Sequence, residues 1–148
     1  MARLLSIIFG VLAITACGGS QELQSEGTGS TEPASIYNQT WQWESTVTPV
    51  EKITVHEPER YTVTFSEDGS AAMRFDCNRG RGNFTLTENR LSFGPMISTR
   101  AACQEDSLDA SFMRDLGRVS SFFIKDGNLY LELPMDSGTM RFRPEKQD

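Results

Sequence analysis

From Tyr37 onward the chain alternates apolar and polar residues in short runs. Tyr37, Trp41 and Trp43 fall on alternating positions, with Asn38, Thr40 and Gln42 between them; a period of two marks a half-buried strand. Tyr61-Thr-Val-Thr-Phe65 repeats the pattern, Ser66-Glu-Asp-Gly69 supplies a turn, and Ala71 to Phe75 resumes it, which predicts a hairpin. Phe84-Thr-Leu86 and Leu91-Ser-Phe93 flank Glu88-Asn89-Arg90 as a second hairpin. Phe122-Phe-Ile124 and Leu129-Tyr-Leu-Glu-Leu133 enclose Asp126-Gly127 as a third. Pro134 to Gly138 turns the chain again, and Met140-Arg-Phe142 makes a last strand with Arg141 and Arg143 on its polar side.

One segment changes period. Leu108, Phe112, Leu116 and Val119 recur at spacings of four, four and three, one stripe of an amphipathic helix. Asp106 or Ser107 is placed to cap its start, Asp109, Arg114 and Arg118 suit its dipole, and Gly117 weakens its last turn. Strands, one helix over about residues 107–118, then strands again predict an α+β fold. It is an antiparallel, β-rich small barrel or strongly curved sheet with the helix packed on it.

The N-terminus follows neither period. Leu4 to Ile14 is almost continuously apolar behind Arg3. It is too short to cross a hydrocarbon core of about 30 Å, and a short charged region, a short apolar region and small residues describe a secretion signal. Ile14-Thr15-Ala16-Cys17 closes it and resembles the lipobox of bacterial lipoproteins, in which the cysteine is acylated and becomes the mature N-terminus. Residues 1–16 are therefore expected to be a cleaved signal. Cys17 is expected to be a lipid anchor, with several acyl chains holding far better than one. Gly18 after the cysteine points to the outer membrane, facing the periplasm. Gly18 to Ser35 is rich in Gly, Ser, Glu and Thr and has too little apolar surface to order itself. As a flexible tether, eighteen such residues reach roughly 23 Å. Residues 36–148 then form one domain.

The chain carries a formal net charge of −6, and removing the signal with Arg3 leaves it more acidic still. A nucleic-acid binder would need a basic face, so no nucleic-acid partner is expected, and the domain is read as a monomer. With Cys17 assigned to lipid, Cys77 and Cys103 remain. In an oxidising compartment they are most simply one disulfide, with two free buried thiols as the alternative. The loop closed would hold 27 residues, worth roughly 3–3.5 kcal/mol by chain entropy. The lone histidine, His56, and the absence of a Cys-x-x-Cys run give no metal-ligand pattern; no metal and no cofactor are expected.

Candidate chemistry gathers at the cysteines. Asp76, Asn78, Arg79 and Arg81 crowd around Cys77, and Arg100 lies near Cys103. One reading is an anion or partner patch, since guanidinium forks grip carboxylates and phosphates. The other is a glycine-rich bend in which these side chains hold loops together, with Arg79 and Arg100 structural and Arg81 exposed between Gly80 and Gly82. Trp41 and Trp43 share one strand face, in the core or along an apolar groove. His56 sits in the polar stretch His56-Glu57-Pro58-Glu59-Arg60, which reads as a surface loop. No nucleophile elbow or recognisable carboxylate pair is present, and no catalytic residue is assigned.

The chain resembles the META domain, also called the HslJ-like domain, of bacterial envelope lipoproteins. The resemblance rests on Trp41 and Trp43, Tyr61 to Gly69, Asp76-Cys77-Asn78-Arg79-Gly80 with Gly82, Leu91-Ser-Phe-Gly-Pro95-Met96, Thr99-Arg100-Ala101-Ala102-Cys103, and the Leu129-Tyr-Leu and Met140-Arg-Phe pair. It covers about Tyr37 to Arg143. Ala101-Ala102 departs from the family, whose members often carry a methionine there. The resemblance implies associations with stress tolerance, envelope maintenance and drug resistance, and no established reaction. The expectation is a non-catalytic, membrane-anchored module that binds an envelope protein or a small apolar ligand. The alternative is a secreted inhibitor of a protease or cell-wall hydrolase, and an enzyme is the weakest of the three.

Overall fold

The computed structural model describes residues 35–146; the signal and anchor expected at residues 1–17, and nearly all of the tether, lie outside them. The strands are β1 (Thr40–Val47), β2 (Lys52–Thr54), β3 (Tyr61–Phe65), β4 (Ser70–Phe75), β5 (Asn78–Thr87), β6 (Arg90–Ser98), β7 (Ser121–Lys125), β8 (Asn128–Glu132) and β9 (Thr139–Pro144). One helix, α1 (Asp109–Leu116), lies between β6 and β7. No helix among the described residues is long and apolar enough to cross a membrane.

All strands join one antiparallel sheet in the order β6-β5-β4-β3-β1-β9-β8-β7, with β2 beside β1. The first half of β1 pairs with β3 and its second half with β2, and its ladder with β9 shifts register between Trp43 and Ser45. The sheet curls into a half-barrel whose end strands touch at one corner. There Leu91 N–H donates to Ser120 O (3.3 Å) and Phe122 N–H to Asn89 O (2.9 Å). The three expected hairpins are present as β3–β4, β5–β6 and β7–β8. Between β7 and β8, Asp126 and Gly127 have φ of 52° and 73°, the paired positive angles that a two-residue hairpin turn needs and that Asp-Gly supplies.

The helix fills the concave side. Its buried stripe is Phe112, Leu116 and, beyond its end, Val119, as the spacing predicts, with Leu108 half-buried. Phe112 stacks on Trp43 (4.9 Å between ring centroids) and meets Tyr61, Phe75 and Phe142. Of the two expected caps, Ser107 bonds a first-turn donor, although the N-cap position itself falls one residue later. Leu108 takes the N-cap position without a side-chain cap. Its N–H donates to the Tyr61 hydroxyl (2.9 Å), and Ser107 Oγ accepts from Asp109 N–H (3.3 Å). A strand residue thus satisfies a helix-terminal donor that would otherwise be orphaned.

Two further expectations are corrected. Tyr37 does not begin a strand but forms a single bridge to Phe65. The run Asn78-Arg79-Gly80-Arg81-Gly82 is not a bend but the first half of β5, paired with β4 and β6. The bend is the preceding Asp76-Cys77, where Asp76 has φ of 59°. Gly80 serves close approach rather than unusual backbone angles. A Cβ there would sit 2.6 Å from the Phe75 ring and 2.8 Å from Ile97 O, so a larger residue would displace core or backbone.

Candidate functional site

The two cysteine-bearing segments meet at one end of the half-barrel, where Cys77 and Cys103 form a disulfide with Cα atoms 5.6 Å apart. Cys77 follows the left-handed Asp76, and Cys103 follows the loop leaving β6. Beside the bridge, Asn78 is buried and spends its amide on that loop. Its Oδ1 accepts from Thr99 Oγ1 (2.9 Å) and Ala101 N–H (2.8 Å), and its Nδ2 donates to Ala101 O (3.1 Å). Arg79 and Thr99 add a reciprocal pair: Arg79 N–H to Thr99 Oγ1 and Thr99 N–H to Arg79 O, each 3.0 Å.

Asp76 is buried at the same corner and holds Arg60. Arg60 Nε donates to Asp76 Oδ1 (2.7 Å), a second guanidinium nitrogen pairs with the same oxygen, and Asp76 N–H donates to Arg60 O (2.7 Å). Arg74 Nε donates to Asp76 O (3.1 Å). Burial pushes the Asp76 carboxyl up, but the Ser107 hydroxyl, the Arg60 guanidinium and the charges of Arg60 and Arg74 outweigh it and hold the group below the usual aspartate value.

Asp76 and Asn78 therefore hold the corner together, whereas the arginines divide differently from expectation. The structural role expected for Arg79 and Arg100 belongs to Arg60 and Arg74. Arg79, Arg81 and Arg100 are all exposed, and among the described residues none makes a side-chain hydrogen bond or salt bridge. The clamp pairs residues 16 apart in sequence, and no spacing rule joins positions brought together by a turn and a sheet.

The linkage sign for Asp76 is fixed by its direction. A carboxyl held low when folded contributes stability above its unfolded value, and loses it as pH falls through the folded one. Stability should thus decline as pH falls below the ordinary aspartate value of about 4, more steeply in the wild type than in Asp76→Asn. At neutral pH Asp76→Asn should cost about 1–3 kcal/mol, the range for stripping a partner from buried hydrogen-bonding groups. Urea unfolding at a series of pH values measures both; equal slopes would remove Asp76 from the account.

Of two larger open hollows, one lies beside the site and one away from it. One, of about 410 Å³, lies between the Thr99–Ala102 loop and the helix face carrying Asp109, Ala110 and Met113. The other, of about 440 Å³, lies on the outer side of β1, β2 and β9, lined among others by Glu44, Lys52, His56 and Arg141. There Arg141 Nε stands 3.3 Å from Glu44 Oε2, and His56 is exposed. Trp41 and Trp43 line neither. They are 1% and 0% exposed, with indole N–H groups donating to Ile36 O (2.9 Å) and Thr46 Oγ1 (3.1 Å). The groove alternative is replaced by core packing, because the strand face carrying them points at α1. Among the described residues, no three His, Cys, Asp or Glu side chains stand where they could hold a metal ion. Asp115 on α1 had no sequence signal; its buried carboxylate accepts from the neighbouring Arg114 Nε (2.9 Å).

A family model described as the META domain matches residues 34–147. No curated protein matches the chain. Among solved structures, the chain is similar to a protein from Burkholderia xenovorans determined by NMR. The TM-score is 0.63 and the identity 20%, over 76% of this chain and 85% of that one. It is also similar to a crystal structure of a DUF4847 family protein from Bacteroides vulgatus. There the TM-score is 0.58 and the identity 12%, over 76% of this chain and 96% of that one. At such identities the likeness shows a shared fold alone.

Proposed function

The chain belongs to the META domain family, and from that premise we propose that it is a non-catalytic envelope lipoprotein, held by an acylated Cys17 and acting by binding. One observation carries the reading. Beside the disulfide, the buried Asn78 amide is consumed in bonds to the Thr99–Ala101 loop, and Asp76 Oδ1 is taken by Arg60. What faces outward is a set of exposed arginines on a rigid frame, which suits recognition better than turnover. With Trp41 and Trp43 in the core, an envelope partner suits this surface better than a small apolar ligand. The outer membrane, facing the periplasm, is the proposed location, and stress tolerance and envelope maintenance are the proposed setting. The anchor is tested by growing cells with labelled fatty acid. Wild-type chain should take up label and Cys17→Ser should take up none; label on the serine variant would overturn the reading.

The inhibitor reading has one observation in its favour. The loop Thr99–Ala102 is exposed yet pinned at Thr99, at Ala101 and at Cys103, with exposed Arg100 between the pins. A rigid loop presenting arginine would suit a protease that cleaves after basic residues. Titration against a panel of such proteases should then show inhibition that Arg100→Ala abolishes, and no inhibition by the wild type would end this reading.

A further inference from the structure

In a chain of net charge −6, the four strands β3 to β6 contain no aspartate or glutamate, and carry Arg74, Arg79, Arg81 and Arg90. Register decides where these charges sit. Val63, Phe65, Met73 and Phe75 point into the core, so Thr62, Thr64, Ala72 and Arg74 take the convex face. Buried Asn78 and core-facing Gly80 likewise send Arg79 and Arg81 outward. Arg74 stands directly opposite Arg79, and Arg81 directly opposite Ile97. Like charges in facing positions destabilise a sheet, and nothing on these strands neutralises them. Arg74 bonds two main-chain oxygens, of Asp76 and Glu59, while the nearby Asp76 carboxylate is taken by Arg60. Ile97 is 61% exposed among these arginines, and Arg100 extends the cluster beyond the end of β6.

We infer that this face docks onto an anionic lipid surface, the arginines gripping phosphate headgroups and Ile97 entering the interface. The charge pattern calls for a partner rich in negative charge. A guanidinium binds phosphate bidentately, and an exposed aliphatic residue beside the cations suits an interface that is charged outside and apolar beneath. The choice of a membrane rests on the envelope-lipoprotein reading. A tether of the length between Cys17 and the first described residue keeps the domain within reach of the bilayer holding its anchor. The rest of the acidic domain is repelled by such a surface, so the face also sets orientation.

The test uses residues 18–148, without signal or acyl group, so binding by the face is read separately from the anchor, which fatty-acid labelling tests. Sedimentation with phosphatidylglycerol–phosphatidylethanolamine vesicles should show binding at least tenfold tighter than with phosphatidylcholine vesicles, and weakening with salt as exposed charges are screened. Each basic residue at an anionic surface is worth about fivefold. The double variant Arg79→Gln, Arg81→Gln should therefore bind about thirtyfold more weakly with no fall in its melting temperature, since it relieves the repulsion between Arg74 and Arg79. Lys52→Gln with Lys125→Gln, removing equal charge elsewhere, should bind as wild type. Three results would each overturn the inference. They are equal binding to both vesicles, an undiminished Arg79/Arg81 variant, and binding to polyglutamate without binding to vesicles, which would assign the face to an acidic protein.

Discussion

Phe112→Ala should lower the unfolding free energy by about 3–5 kcal/mol, the range for emptying a large aromatic site in a core that cannot close around the void. Phe112 is fully buried, and the rings around it come from four strands. These are Trp43 on β1, Tyr61 on β3, Phe75 on β4 and Phe142 on β9, with centroids 4.9 to 6.1 Å away. Each of those strands is bonded to neighbours on both edges, so the wall of the half-barrel cannot move inward to fill the cavity. The helix has little else to keep it in place: it is eight residues long, too short to hold itself together in water. A domain of this size commonly has only about 5–15 kcal/mol in total, so the variant should approach the edge of folding. Urea unfolding at unchanged slope measures the loss. Ala110→Gln on the exposed side of α1 should change stability by no more than about 0.5 kcal/mol. A loss below about 1.5 kcal/mol for Phe112→Ala would mean that the sheet, not the helix, organises this core.

The parts of the fold legible in the sequence were those set by neighbours in the chain. Ser66 to Gly69, Glu88 to Arg90 and Asp126-Gly127 each join strands through a few residues, and all three hairpins stand where the alternation put them. The helix stripe was legible because an apolar residue every three or four positions has no other simple reading. What escaped was set across long separations. The pairing of β1 with β9 joins the two ends of the domain, and no local pattern announces it. Strand β2 has three residues, Lys52–Thr54, too few to show a period. Gly80 and Gly82 looked like a bend because glycine is the residue of turns. Here their smallness admits the Phe75 ring and the β6 backbone, a packing demand visible only once β4, β5 and β6 are aligned. The site shows the same division. The crowding of charges at the cysteines was legible, yet which arginine grips Asp76 depended on Arg60 arriving from the turn before β3.

Removing the disulfide is the second change with a large expected effect, and its partner Asn78 shows why. Cys77→Ser and Cys103→Ser should each cost about 2–4 kcal/mol, and by similar amounts, because either releases the same closed loop in the unfolded chain. Asn78→Ala should cost about 1–3 kcal/mol, since it strands the Ala101 N–H and the Thr99 hydroxyl that Oδ1 now receives. These two costs should not add. The bridge and the amide hold one loop from adjacent points, and Asn78 Nδ2 lies 3.3 Å from Cys103 Sγ itself. Once the bridge is gone, Thr99 to Cys103 can leave the frame and meet water, so the groups bonded by Asn78 no longer stay buried and unpaired when it is removed. The double variant Asn78→Ala, Cys103→Ser should therefore fall short of the summed single losses by about 1 kcal/mol, within the range for residues sharing a structure. Denaturant unfolding of wild type, both singles and the double closes the cycle. Additivity to within about 0.3–0.5 kcal/mol, the behaviour of independent sites, would show that the amide holds the Thr99–Ala102 loop without help from the disulfide.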